Sequence, residues 1–185
     1  MKRILFLAGA LLTLVFTAVA ADDGALRVHL TGYEETTATI NTTGSGEFRA
    51  RISQDGTAID YELTYQNLSS APTQSHIHFG RPALTGGIVL YLCTNLTPPT
   101  GVPVPQACPT TSPATITGTL TPADVVPQPT QGIDSGAAGF AEMITAIHHG
   151  AAYVNVHTTN HPSGEIRARL GGPEHGHDHG HHDHH

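Results

Sequence analysis

Two histidines one residue apart, His76 and His78, sit in a segment, Ser75-His76-Ile77-His78-Phe79, that reads as a β-strand. Residues i and i+2 of a strand project from the same face. Both imidazoles therefore point one way, while Ile77 and Phe79 point the other, into a core. A second segment, Tyr153-Val154-Asn155-Val156-His157, repeats the alternation. Val154 and Val156 take its apolar face; Tyr153, Asn155 and His157 take its polar one. If the two strands are neighbours, three neutral imidazoles can share one first-row ion at bond lengths of about 2.0–2.1 Å. Affinity at nitrogen sites peaks at copper, so Cu(II) is the first expectation and Zn(II) the second. His161, in a turn just past His157, is a candidate fourth ligand. The competing reading is that these histidines hydrogen-bond turns and loops and hold a sheet edge, with no ion.

A second group of histidines has no such order. His175, His177, His179, His181, His182, His184 and His185 are half of the 14 in the chain and are interleaved with Gly and Asp. A tract of this composition, Gly171 to His185, cannot bury a core, yet offers many imidazole and carboxylate ligands. Weak, unselective metal binding is expected there, fading as pH falls through the histidine range near 6.5. A purification tag is the rival explanation, against which the interspersed Gly and Asp argue. Cys93 and Cys108, the only cysteines, match no zinc-site spacing. In an exported chain an even pair reads as a disulfide. It would close the Pro- and Thr-rich stretch Thr94 to Ala107, contributing about 3 kcal/mol by restricting the unfolded chain.

The rest of the 185-residue chain must position these groups. Met1-Lys2-Arg3, an uncharged apolar run and Ala18-Val19-Ala20 read as a secretory signal peptide over residues 1–20. A single domain is expected over 21–170 and the His-rich tail over 171–185, in an exported, periplasmic or extracellular protein. No further run is apolar and long enough to span a bilayer after signal cleavage. The net charge is −7, and Lys2 and Arg3 belong to the leader. Without a basic patch, nucleic acid is excluded as a partner, whereas cations are attracted. No nucleophile motif, phosphate loop or paired-carboxylate pattern is present, so no catalytic residue and no organic cofactor is expected.

Short alternating segments dominate. Leu26 to Leu30 reads as a first strand, with His29 at its surface. Glu47 to Ile52 and Ile59 to Tyr65 form a hairpin across the turn Gln54-Asp55-Gly56-Thr57. Residues 34–46 and 80–87 read as loops. Ile88 to Cys93 is apolar on both faces and reads as a central strand, and Thr115 to Leu120 as another. Thr121-Pro122 carries a helix-start signal. Gly139 to His149 has helical spacing of Phe140, Ile144 and Ile147, and His148-His149 complement its C-terminal dipole. The final strand puts Ile166, Ala168 and Leu170 inward. Glu165 and Arg167 are expected on a solvated face, paired across strands with Arg49, Arg51 or Asp60; the competing reading makes them a charged wall beside the histidine site. The fold class is mostly β: an antiparallel, Greek-key-like β-sandwich or flattened barrel with one or two short helices.

Three blocks, SHIHFGRPALTGGIVLYLC, ITGTLTPADV and GAAYVNVHTTNHPSGEIRARL, together resemble the CHRD domain, named for its repeats in chordin and also found in exported bacterial proteins. The resemblance covers about Ala25 to Leu170. It implies a β-sandwich and an extracellular setting, and it implies no defined activity. A looser likeness is to the copper–zinc superoxide dismutase sandwich, which also carries a His-x-His strand, but no bridging histidine or zinc site is found here. Three functions are compatible with these readings: a metal-binding domain, an extracellular protein-interaction or surface module without metal, and a copper oxidoreductase.

Overall fold

The computed structural model describes residues 25–98 and 101–172. The expected signal peptide and the tail histidines His175 to His185 lie outside the described residues. Alternation of apolar and polar side chains generates eight strands: β1 (Ala25–Thr31), β2 (Ser45–Ile52), β3 (Ile59–Gln66), β4 (Pro72–Phe79), β5 (Gly87–Thr94), β6 (Ala114–Leu120), β7 (Ala152–Thr158) and β8 (Ile166–Leu170). All pair antiparallel in one sheet of order β5-β4-β7-β8-β1-β2-β3-β6. This sheet curls into a nearly closed barrel. Its interior is filled by the inward set of each strand, including Leu30, Phe48, Leu63, Ile77, Val154, Val156, Ile166 and Leu170.

β5 and β6 end the sheet, so the barrel has a seam between them. Chain segments rather than a ladder close it. The Tyr61 hydroxyl donates to Leu92 O at 2.8 Å, Thr94 N to Gln106 O at 2.9 Å, and Gln106 Nε2 to Thr117 O at 2.9 Å. The Cys93–Cys108 disulfide ties the same segment to β5. β5 is therefore a terminal strand, not the central one its composition suggests. Its second flank is covered by the 124–126 segment, where Val126 N donates to Val89 O at 2.8 Å.

Helix α1 spans Gly136–His148 and sends Phe140, Met143, Ala146 and Ile147 into the core. It begins three residues before the expected start at Gly139. The helix-start signal at Thr121 yields only one 3-10 turn, Pro122–Asp124, with a complete capping box. Val125-Val126-Pro127 follows, and two β-branched residues before a proline do not propagate a helix.

Candidate metal centre

β4 and β7 are hydrogen-bonded neighbours, with His76 opposite Asn155, His78 opposite Tyr153 and Gln74 opposite His157. Directly opposed residues share a face, so the register puts all three imidazoles on the outer face of the barrel wall, back to back with Ile77, Val154 and Val156. Register shifts in the β4–β5 pairing flank both His76 and His78; such bulges re-aim side chains. Ring centroids lie 5.0 Å apart for His76–His157, 5.3 Å for His76–His78 and 6.3 Å for His78–His157. One nitrogen from each ring can be chosen so that all lie within 4.8 Å of one another. Tetrahedral nitrogens on an ion at about 2.0–2.1 Å would be about 3.4 Å apart, a contraction within reach of small χ changes. His161 does not join this group. It lies in the β7–β8 turn, where its carbonyl accepts from Thr158 N and Gly164 N.

This outer face is covered. His76 has no solvent exposure, and His78 and His157 retain 5% and 7%. Burial is the main cause that holds all three rings below the ordinary histidine range. His78 is lowered to about 4, burial outweighing its bond to the Gly86 carbonyl, and His76 lies well below the ordinary value, burial being reinforced by its two histidine neighbours. All three are therefore neutral at pH 7, the form that ligates metal.

The partners of each ring fix which nitrogen faces inward. His78 Nδ1 lies 3.0 Å from Gly86 O and His157 Nδ1 lies 2.9 Å from Pro162 O. A carbonyl only accepts, so the neutral His157 carries its proton on Nδ1 and presents a lone pair at Nε2. His78 Nε2 lies 3.1 Å from Asn155 Oδ1, a second acceptor, so the one proton of the neutral ring serves either Gly86 O or Asn155 Oδ1. His157 Nε2 and both nitrogens of His76 are buried without any partner. Anchoring of the far nitrogen by a carbonyl is the usual way proteins orient metal-ligating histidines.

Gly86 is central to that orientation. Its carbonyl faces His78 Nδ1 at 3.0 Å, and its N–H donates to the Tyr153 hydroxyl at 3.2 Å. A Cβ at this position would sit 1.8 Å from Phe79 O, so no other residue brings the loop so close. Gly86→Ala should displace the carbonyl and weaken metal binding about 10- to 100-fold, the usual effect of losing such a partner. Competition against a chromogenic chelator measures this; unchanged affinity would show that the carbonyl does not orient His78.

Beyond the histidines lies a stack. The Tyr153 ring is parallel to His78, within 6° at 4.5 Å, and the Arg167 guanidinium lies 3.4 Å from the Tyr153 centroid. Tyr91 meets His76 edge-on at 4.5 Å. Arg167 is itself buried, donating to Thr36 Oγ1 at 2.6 Å and to Leu84 O at 2.9 Å. It thus joins the 32–44 and 80–86 loops over the site. Glu165 is fully buried, accepting from Thr42 Oγ1, Ser69 N, Ser69 Oγ and Thr158 Oγ1 at 2.7–2.8 Å. The expectation of a solvated face for Glu165 and Arg167 is corrected here. Both point away from the barrel core, but loops cover that face, and their hydrogen bonds go to Thr36 and Leu84 and to Thr42, Ser69 and Thr158.

Glu35 completes the surroundings and carries no sequence signal, since it lies in a polar, Thr-rich loop. It is buried, and its Oε1 has no partner. Burial raises its carboxyl to about 7 against the opposing charge of Arg167 and a hydrogen bond with Asn155. Gly164, at φ 123°, makes room for it: a Cβ there would lie 2.3 Å from Glu35 Oε1.

An antiparallel, nearly closed β-barrel with a buried three-histidine cluster on its outer wall thus defines the class of domain. Residues 26–170 match the CHRD domain family, and the chain belongs to it. No curated protein and no solved structure matches the chain.

Proposed function

We propose that this CHRD-domain protein binds one transition-metal ion, copper or zinc, through His76, His78 and His157. The observation that carries this reading is the set of ring nitrogens at the centre of the cluster. The lone pairs of neutral His76 and His157 have no partner in this buried space, and His78 Nε2 joins them when it gives up Asn155 Oδ1. A water molecule has two hydrogens for them; a single cation takes all three. Leaving buried polar atoms unpaired costs about 1–3 kcal/mol each, and a ligated ion would offset that cost. Export is the second part of the proposal. The disulfide suits an oxidising compartment, and among the described residues no helix is long and apolar enough to cross a membrane.

The His-rich tail is proposed as a separate, weaker and unselective binder. The test uses a full chain in which His175, His177, His179, His181, His182, His184 and His185 are each replaced by Ser. Dialysed against copper or zinc, this tail variant should retain about one equivalent, and adding His78→Ala should remove it without unfolding the protein. The native chain should take up further equivalents that dissociate below about pH 6.5, where protons compete for imidazole. Equal uptake by native chain and tail variant would refute the role of the tail. No retention by the tail variant of either metal in any oxidation state would leave the protein-interaction module as the surviving function.

A further inference from the structure

The metal site has an electrostatic character that its ligand types alone do not reveal. All three ligands are neutral, and among the described residues no cysteine, aspartate or glutamate joins the group. The hydroxyl of Tyr153, the nearest phenol by ring stacking, already accepts from Gly86 N. The fixed charge closest to the ligands by direct stacking is positive: Arg167 lies on Tyr153, which lies on His78. Glu35 is the one acid that acts on Arg167 from within the covered layer. If its carboxyl is ionised it offsets Arg167; if it is protonated the cation stands alone. Glu165, the other buried carboxylate of this layer, is taken up by its four donors, and no acid joins the ligand group to balance a dication directly.

Burial makes that charge count matter. The cost of transferring an ion from water to a poorly polarisable interior rises with the square of its charge, so a dication costs about four times as much as a monocation of equal radius. Zinc also takes four ligands as a rule, and the candidate fourth, His161, is elsewhere. Imidazole suits copper, and a d10 monocation is content with three nitrogens. Resting on the metal-binding reading above, we propose that this centre selects copper as three-coordinate Cu(I), held by His76, His78 and His157, and discriminates against Cu(II) and Zn(II).

Oxygen-free titration of the tail variant with Cu(I) against a chromogenic cuprous chelator, set beside Cu(II) and Zn(II) titrations, tests this. One equivalent of Cu(I) should bind at least 100-fold more tightly than Cu(II) or Zn(II). Relative to the hydrated ions, that ratio raises the copper potential by about 120 mV at 59 mV per tenfold for one electron. Arg167→Met should lower the Cu(I)-to-Cu(II) affinity ratio at least tenfold, whereas Arg167→Lys, which keeps the charge, should lower it less. Equal or tighter binding of Cu(II) or Zn(II) by the tail variant overturns the proposal and leaves metal binding intact. Failure to bind copper or zinc in any state overturns metal binding itself. Identical ratios in the Met and Lys variants overturn the role of Arg167. Should Arg167→Met not fold, the ratio measured without that substitution decides the proposal.

Discussion

Replacing His76 with leucine should abolish metal binding by the folded domain and leave the metal-free protein at least as stable as before. His76 is fully buried, and neither of its ring nitrogens has a partner. Each such atom costs about 1–3 kcal/mol of lost hydration. An apolar side chain of comparable size removes that cost and keeps the contact with Tyr91, so the change is near neutral or stabilising. The affinity loss should exceed the 10- to 100-fold caused by losing an outer-shell partner, because a ligand itself has gone. Urea unfolding of chelator-treated His76→Leu and metal retention by the same sample are the two measurements. A loss of 2 kcal/mol or more in the metal-free protein, with metal uptake unchanged, would show that the ring is a packing residue.

Glu165→Ala should have the opposite signature: large destabilisation, with the metal ligands untouched. The carboxylate receives four donors from three separate segments of chain. Hydrogen bonds to a charged group contribute about 1.5–3 kcal/mol each, and because they are not additive a total loss of about 3–5 kcal/mol is expected. In a domain of this size that corresponds to a melting temperature lower by about 10 °C. Burial pushes the Glu165 carboxyl up, but the bonds from Thr42, Thr158 and Ser69 together hold it below the ordinary range. A depressed folded pKa gives stability that is present above the unfolded value, about 4.3, and is lost as pH falls from there through the folded pKa. The native protein should therefore weaken in that acid window, and Glu165→Ala should show less of this slope. A loss under about 1 kcal/mol would mean that the clamp contributes little.

Strand parity was legible because it depends on local geometry alone. His76, His78 and His157 alternate with Ile77, Val154 and Val156, and the structure keeps every one of them on the face that alternation assigns. What parity does not reveal is the environment of the second face. Polar residues opposite a core read as solvated, and Arg167 and Glu165 were placed in water on that ground. The cover over them consists of irregular loops around Glu35, Thr42 and Leu84, which have no period to detect. The same blindness affected β5, whose two apolar flanks suggested a central position although one is covered by the 124–126 segment. The seam of a barrel depends on contacts distant in sequence, such as Gln106 with Thr117, and no local pattern encodes them. His161 shows a further limit: proximity in sequence to His157 does not bring a side chain to the same point when a turn intervenes.

The back-to-back arrangement of β4 and β7 has an evolutionary consequence. Each strand contributes alternate residues to two separate interiors, an apolar one inside the barrel and a polar one between wall and loops. No side chain of the histidine cluster fills the barrel, and Ile77, Val154 and Val156 all lie on the face opposite the three imidazoles. Mutational drift in one compartment can therefore proceed without repacking the other. Membership of the family therefore does not by itself carry the histidine cluster along with the barrel. Whether a given homologue holds a metal must then be read at its own counterparts of positions 76, 78 and 157, not from its place in a lineage.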